Sequence, residues 1–431
     1  MLGCLAAVGV ALVGAEMQKG IAIDFYQFWN IAGISEILPG EKVYALATGE
    51  KLAQILFEQS AAAGSQAQRD AARFRVQRID AVSTPFFYAC FRALRSGNYD
   101  TDLRRHRLGS LLAFVLALLL IANLAGCRPA TALAALAFFL WAFQPLRLDL
   151  VEGNVNAVQL ALLALIFWLR RDPECAWRTI TAACLLALAV LFKPNIIMVA
   201  VLLLLGWGIL RRWHDIMLAA IGAAIGSAVA VATSAWLIGS NASWGDWLAG
   251  LRRLESDFAV GVEQGNMGGA KLIGDAMGWN PTVPLLIILA GFVAGTLWHL
   301  RRARHRTPAA AELVRNVDAL MIALGPAVAI LGTAMAWSHY TILCVPLCLI
   351  CLHRLEAGAR ILSMPGLIVL AALIGLSSAA WLNAAGVHGL LVQALVLAFG
   401  VLALYAGGLE ALYLRVRAAA GANQTAMDER Y

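Results

Sequence analysis

Long apolar runs separated by short polar loops cover most of the chain. Runs of about 20 apolar residues are typical of transmembrane helices. We therefore predict an all-α polytopic membrane protein with about ten to twelve transmembrane helices. We delineate twelve runs, at roughly 1–16, 108–126, 129–146, 154–169, 177–192, 195–210, 215–239, 283–300, 317–336, 340–353, 363–382 and 387–412.

Two long polar stretches, 17–107 and 240–282, interrupt the apolar pattern. The segment at 50–78, "EKLAQILFEQSAAAGSQAQRDAARFRVQR", is amphipathic and rich in helix-favouring residues. We predict that it forms helices lying on the membrane surface. The run at 1–16 contains no Lys or Arg, the first being Lys19, whereas a signal peptide has a basic segment ahead of its apolar core. We interpret it as a rather short first transmembrane helix.

The basic residues give the orientation of the chain. If the N-terminus is cytoplasmic, the short cytoplasmic loops all carry arginine, and the short outer loops carry few basic residues. The first long loop holds a dozen basic residues and is an exception, but long loops are translocated largely regardless of charge. The cytoplasmic loops are "CRP" (127–129), "RRDPECAWR" (170–178), "RRWHD" (211–215), "RRARHRTP" (301–308), "HRLEAGAR" (353–360) and "LRVR".

Composition excludes several other classes. The chain is 61% hydrophobic and only 14% charged, whereas soluble domains carry about a quarter charged residues. The net charge of +7 is spread over topology-setting loops and forms no nucleic-acid-binding motif. Most of the eight cysteines lie in or beside apolar runs, as small hydrophobic residues do. The cluster "CVPLCLIC" lacks four convergent ligands, so we expect no metal site.

In this orientation many polar residues lie at the outer membrane face. Polar groups at membrane depth are costly and usually functional. Their gathering on one side therefore predicts an outward-facing site. The residues are Asp24, Arg147, Asp149, Glu152, Asn154, Asn156, Lys193, Asn266 and His339.

Each of these signals also has a structural explanation. Asp24, in "GIAIDFYQFWNIAG" (20–33), is compatible with a helix cap, and its aromatic neighbours with an interfacial belt. The segment "EGNVN" (152–156) is compatible with an N-capped helix start. However, two asparagines that enter a helix at lipid depth are expensive unless they bind something.

Three further segments also have structural explanations. Pro194, in "FKPN", should break the surrounding apolar run into two helices. The preceding Lys193 can either extend to the interface or hold a phosphate. His339, in "WSHY", can be a satisfied interfacial residue, and "EQGNMGG" (263–269) can be a plain turn.

The order of the motifs is more specific than any one of them. An Asp after the first helix, then "STPFFYACF", "EGNVN", "FKPN", "GNMGG" and "WSHY", together resemble glycosyltransferase family 87 over roughly residues 20–350. The resemblance implies a GT-C-type fold that spans 1–431 as one integral-membrane domain. The enzymes of this family are similar to the polyprenyl-phosphate-mannose-dependent mannosyltransferases. The family pattern "GQxN" is here Gly153–Asn156, "GNQS" is Gly265–Gly268, and only Pro85 and Tyr88 match the proline segment.

The resemblance implies transfer of a hexose, mannose in the relatives, from a polyprenyl-phosphate donor to a lipid or glycan acceptor at the outer face. The acceptor hydroxyl needs a general base, and the resemblance assigns this role to Asp24. The leaving phosphate needs a cation. A single displacement would invert the anomeric carbon. We find no DxD pair of the kind that would hold the metal of a nucleotide sugar, and we therefore expect no nucleotide donor, no cofactor and no essential metal.

The candidate residues have three roles, namely general base, donor phosphate binding and substrate binding. Asp24 is the candidate base. The candidates for donor phosphate binding are Lys193, His339 and Arg147, with Arg104, Arg105 and Arg107 as weaker ones. The candidates for substrate binding are Tyr26, Glu152, Asn154, Asn156, Asn266 and Tyr340.

Three alternatives remain at this point. A transporter or flippase of a lipid-linked sugar would use the same polar cluster as a binding site. Few mid-membrane charges and no visible internal repeat argue against it. The others are a GT-C enzyme of a different family and a non-catalytic scaffold of polymer assembly. For the enzyme we expect a multi-pass protein of the cell membrane, with the site facing outside or the periplasm.

Overall fold

The computed structural model describes residues 2–17, 20–257, 265–304, 311–356, 364–387 and 389–428. Within these ranges the secondary structure consists of helices, and the only β-type pairing is an isolated bridge between Asn266 and Trp337. The prediction of an all-α polytopic membrane protein is confirmed.

The N-terminal region contains six helices. Five of them, α2 to α6, fall in the predicted first loop, and the loop is therefore largely helical, as predicted. The bounds are α1 Leu2–Met17, α2 Ile23–Ala32, α3 Ile34–Ile37, α4 Leu46–Ala63, α5 Gln66–Phe74 and α6 Pro85–Leu94.

The middle of the chain contains seven helices, α7 to α13. The bounds are α7 Tyr99–Ala125, α8 Pro129–Ala142, α9 Gln144–Glu152, α10 Asn156–Leu169, α11 Ala176–Phe192, α12 Ile197–Ile209 and α13 Trp213–Leu237. A short 3₁₀ turn, Pro194–Ile196, separates α11 from α12, so Pro194 breaks the run as predicted.

The remaining helices are α14 Trp244–Asp257, α15 Gly269–Met277, α16 Thr282–Arg304, α17 Ala311–Gly332, α18 Val345–Glu356, α19 Met364–Leu376, α20 Ser378–Ala384 and α21 Leu390–Asp428. Two 3₁₀ segments, Gly239–Ala242 and Ser338–Cys344, precede α14 and α18.

Six helical segments of the described chain are long and apolar enough to cross a membrane, and α8 with α9 makes a seventh if the bent pair is one span. Four further apolar helical segments have 10 to 17 residues each. They are Ala7–Met17, Asn156–Leu169, Ala176–Phe192 and Pro194–Ile209. The predicted run at 129–146 differs from the structure in one respect. It bends by 61° where α8 gives way to α9, next to Pro145.

The predicted boundary of the first loop also moves. α7 begins at Tyr99, capped by the Asn98 side chain, and the basic "RRHR" segment (104–107) is therefore its second and third turns. Arg107 donates from this helix to the carbonyl oxygens of Gly20, Leu150 and Val151. These bonds attach the start of α2 and the end of α9 to α7.

The aromatic residues of α2 form the core of the first loop. Phe25, Tyr26, Phe28 and Trp29 are each less than a tenth exposed. Their rings contact those of α6 and the first turns of α7, such as Phe28 with Phe87 at 4.6 Å between centroids. The expectation that these rings form an interfacial belt is wrong, because protein already covers them.

Three breaks between helices meet at one place. They are the turn at Gly153–Val155 between α9 and α10, the extended Lys193 between α11 and the 3₁₀ turn, and the Ser338–Cys344 segment. The last of these packs against α9, α10 and α17. Backbone that is not helical occurs at membrane depth only where it is buried in protein or lines a cavity. This junction is therefore the candidate location of the functional site.

Candidate functional site

Asn154 is the centre of a polar cluster at this junction. Its Nδ2 donates to Oδ2 of Asp24 at 2.6 Å and lies 3.2 Å from Nε2 of His339. Its Oδ1 accepts from Nζ of Lys193 at 2.7 Å. One amide thus joins the candidate base, the candidate cation and the candidate histidine, which come from three other segments of the chain.

The orientation of the Asn154 amide follows from its neighbours. Turning the amide over would put an NH₂ group against an ammonium and an oxygen against a carboxylate. With Nδ2 donating both of its hydrogens, Nε2 of His339 is an acceptor. The His339 ring in this arrangement is therefore neutral with its proton on Nδ1.

Asp149 stabilises the start of α10 next to this cluster. Its carboxylate is fully buried and accepts from the side chain of Asn156 at 2.7 Å and from the backbone N–H groups of Asn156 and Ala157. A carboxylate that caps a helix start in this way fixes the first turn of α10. Asp149 thereby aims Oδ1 of Asn156 at Lys193, 3.4 Å from Nζ.

Lys193 lies between the two apolar helices and outside both. Besides Asn154 and Asn156, its ammonium faces the ring of Tyr340, with 4.6 Å between Nζ and the ring centroid. Burial lowers the pKa of Lys193 to about 8, although the nearby carboxylates of Asp149 and Asp24 act in the opposite direction. The cation is therefore held by neutral oxygens and a ring, and no carboxylate of the described residues forms an ion pair with it.

Asp24 is a partly exposed member of the cluster. It lies in the first turn of α2, and its side chain is 24% exposed. Its Oδ1 is 4.0 Å from Nη2 of Arg75, a residue at the end of α5. Glu152 lies nearby and accepts a hydrogen bond from the backbone of Ile23. A partly exposed carboxylate held on one side by an amide can take a proton from a bound hydroxyl.

Three of the predicted residues lie elsewhere. Arg147 pairs with Glu16 at 3.1 Å and donates to the carbonyl oxygen of Trp141, so nothing in the structure links it to the Asn154 cluster. Tyr26 is buried against Tyr99 in the first-loop core. Asn266 binds the backbone of Ala334, Ala336 and Gly268.

The "GNMGG" segment forms hydrogen bonds with the stretch of chain that precedes His339. Asn266 forms a bridge with Trp337, and Met267 donates to the carbonyl oxygen of Ala336. A Cβ at Gly268 or Gly269 would come within 2.7 Å or 2.1 Å of the carbonyl oxygens of Thr333 and Leu331. The glycines therefore serve this close approach of two backbones.

Several residues of the cluster were not among the predicted site residues. Asn195 accepts from Gln159 at 2.8 Å and donates to Asn156, which extends the network. His106 lies 3.0 Å from the carbonyl oxygen of Asn154. The one sequence signal that could have identified Asn195 was its position directly after Pro194 in "FKPN". Nothing in the sequence pairs His106 with Asn154.

The family model of glycosyltransferase family 87 matches residues 83–326, which is more than half of the chain. The chain belongs to glycosyltransferase family 87. No curated protein and no solved structure matches it significantly. The family 87 match includes Asn154, Asn156 and Lys193, whereas Asp24 and His339 lie outside it and are joined to it only by the geometry above.

Membership in family 87 identifies the chain as a membrane glycosyltransferase, which acts on a sugar donor and an acceptor. It makes an enzyme the better interpretation of the polar cluster than a transporter or a scaffold. Among the described residues, no group of three or more His, Cys, Asp or Glu side chains is placed to hold a metal ion. The absence of an essential metal stays a prediction.

Gly153 provides a test of the junction in this family 87 chain. Its φ is +69°, and a Cβ would lie 2.5 Å from Cβ of Phe25 on α2. Gly153→Ala should therefore push Asn154 away from Asp24 and lower the transfer rate on the order of 10²-fold. The measurement is the initial rate of sugar transfer by the purified variant in nanodiscs.

Gly40→Ala is the matched control. Gly40 has a similar φ of +81°, but a Cβ there would meet nothing within 4 Å. This variant carries only the backbone strain, about 1–2 kcal/mol, and should retain its transfer rate. Equal rates for the two variants would show that the Phe25 contact does not position Asn154.

Proposed function

We propose that this chain transfers a hexose from a polyprenyl-phosphate donor to a hydroxyl of a lipid or glycan acceptor. The resemblance to the polyprenyl-phosphate-mannose-dependent mannosyltransferases implies that the hexose is mannose. The site faces the outside or the periplasm of the cell membrane. The observation that carries this proposal is the Asn154 bridge. It places a carboxylate that can accept a proton and a cation that can hold a phosphate on opposite ends of one amide.

Asp24 is the general base in this mechanism. Its carboxylate removes the proton of the acceptor hydroxyl as the oxygen attacks the anomeric carbon. The bond between that carbon and the phosphate oxygen breaks, and the polyprenyl phosphate leaves with the electron pair. One displacement on the face opposite the phosphate inverts the anomeric centre. The partial exposure of Asp24 supports this role, because the acceptor must reach it.

Lys193 binds the donor phosphate. A charge that develops on the leaving oxygens is stabilised most by a cation that is already in place and poorly solvated. The ammonium has neutral partners in Asn154, Asn156 and the Tyr340 ring, and so it remains available for an anion. The neutral His339 beside it can donate a hydrogen bond to a phosphate oxygen through Nδ1.

The donor class is tested by direct assay. Wild-type protein in nanodiscs receives radiolabelled polyprenyl-phosphate-mannose, polyprenyl-phosphate-glucose or GDP-mannose, each with a lipid extract as acceptor. Transfer from a polyprenyl-phosphate sugar and none from the nucleotide sugar is expected. Transfer from GDP-mannose alone would overturn the proposed donor, and the anomeric configuration of the product tests inversion independently.

The alkaline limb of the pH profile should belong to Lys193. Because its pKa is lowered to about 8, its protonated form prevails below that pH and is lost above it. The ratio kcat/KM reports the ionisation of the free enzyme. We therefore expect kcat/KM to fall above about pH 8 in the wild type. In Lys193→Arg, which stays charged, the fall should move upward by more than one pH unit.

Two comparisons make this prediction specific. Lys193→Met should lower kcat/KM at all pH values, because the phosphate loses its cation. Lys271→Arg alters a lysine on α15 that pairs with Asp275, and it should leave the profile unchanged. An unchanged alkaline limb in Lys193→Arg would remove Lys193 from the titration.

A further inference from the structure

A second polar cavity lies at the other end of α10. α10 begins at Asn156 in the Asn154 cluster and ends at Leu169, which places its two ends roughly 20 Å apart. Beyond Leu169, a cavity of about 430 Å³ opens between α7, α10, α17 and α18. This volume is in the range of sites that bind small ligands. The cavity lies on the side where the basic loops are concentrated, away from the candidate active site.

The wall of this cavity has two chemical halves. Arg171 and Arg315 form a cationic side, together with the amide of Asn123. Phe167, Leu320 and Ile350 form an apolar side. The neighbouring Arg170 does not add to the available charge, because Asp318 holds its guanidinium at 2.7 Å and Asp215 lies 3.7 Å from it.

The two arginines are available for a ligand. Both are exposed, and neither has an ion pair with an acid among the residues whose side chains the structure describes. A second cavity of about 380 Å³ shares both of them and adds Arg178 and Asp172. Asp172 already lies 3.9 Å from Arg178. The described side chains around the two cavities thus carry an excess of positive charge.

We infer that the Arg171–Arg315 cavity binds a phosphate group, with its apolar wall accommodating the chains or the glycerol of an anionic phospholipid. Two guanidinium groups match phosphate because each offers paired N–H donors in a planar fork. Basic cavities between transmembrane helices at the side of the basic loops are suited to anionic lipid headgroups. The same cationic side would also accept free phosphate, and the experiment separates the two sources.

The test measures thermal unfolding of the full chain. Purified protein is compared in phosphatidylcholine nanodiscs, in nanodiscs with added phosphatidylglycerol, and in phosphatidylcholine nanodiscs with millimolar inorganic phosphate. Wild type should unfold at a higher temperature with phosphatidylglycerol. The double variant Arg171→Gln/Arg315→Gln should lose this shift, with an apparent lipid affinity lower on the order of tenfold.

The controls separate the site from general charge effects. Arg73→Gln removes an exposed arginine of α5 and should keep the full shift. The double variant in phosphatidylcholine alone should unfold as the wild type does, because both residues are exposed. A shift with inorganic phosphate as large as that with lipid would identify free phosphate as the ligand. An equal lipid shift in the double variant, or no shift of the wild type with either probe, would overturn the inference.

Discussion

Replacing Asp24 with asparagine is expected to lower kcat for sugar transfer by about 10²–10⁴-fold, which is the usual contribution of a general base. The asparagine keeps the size of the side chain and can still bind Asn154, but it cannot take a proton. The expected result is loss of turnover with little change in donor KM. The measurement is the initial rate with radiolabelled donor, alongside a test of donor binding.

The control for this variant is another acid of the first loop. Glu41→Gln removes an exposed carboxylate that pairs with the exposed Lys51, and its activity should equal that of the wild type. If Asp24→Asn keeps its activity, Asp24 leaves the mechanism. Glu152 would then be the next acid to test. Asp149 is a poor substitute, because its carboxylate is fully buried and already accepts three hydrogen bonds.

Removing Asp318 is expected to destabilise the protein by about 3–5 kcal/mol. Arg170 has a side chain that is 1% exposed, and it donates to Asp318 at 2.7 Å. Asp318 also accepts from Trp207 at 2.8 Å. Asp318→Ala leaves a guanidinium and an indole N–H buried without this acceptor. Asp215, at 3.7 Å from Arg170, compensates for only a part because Arg212 binds it at 2.7 Å.

Thermal unfolding in detergent measures this effect. Asp172→Asn serves as the control, because Asp172 is 56% exposed and lies 3.9 Å from Arg178. An exposed pair of this kind contributes about 0–1 kcal/mol. The double variant Arg170→Leu/Asp318→Leu should recover much of the loss, since it removes both buried charges together. A midpoint for Asp318→Ala equal to that of Asp172→Asn would contradict the prediction.

Local signals accounted for much of the helical architecture. Apolar runs predict helices because a backbone in lipid must satisfy its own hydrogen bonds. The break at Pro194 follows from the missing N–H and the fixed φ of proline. The bend between α8 and α9 was not predicted. Neither was the start of α7 at Tyr99, because the polar residues of its first turns resemble a loop when they are considered alone.

The candidate site was only partly predictable. Asp24, Asn154, Lys193 and His339 were each selected because a polar group at membrane depth is costly. That they meet was expected only from their common side of the membrane. The same criterion also selected Arg147, which instead pairs with Glu16. Sidedness is a weak constraint, since it does not say which residues share a contact.

The sequence alone determined that this chain is a helical membrane protein, that one apolar run breaks at Pro194, and that its motifs resemble family 87. Hydrophobicity and the restrictions of proline act over a few residues, and so they can be read locally. Only the tertiary structure decided that one amide, Asn154, joins Asp24 to Lys193, and that the aromatic residues of α2 are core. These contacts join residues that are 39 to 130 positions apart along the chain, where many equivalent partners compete, and packing alone selects among them.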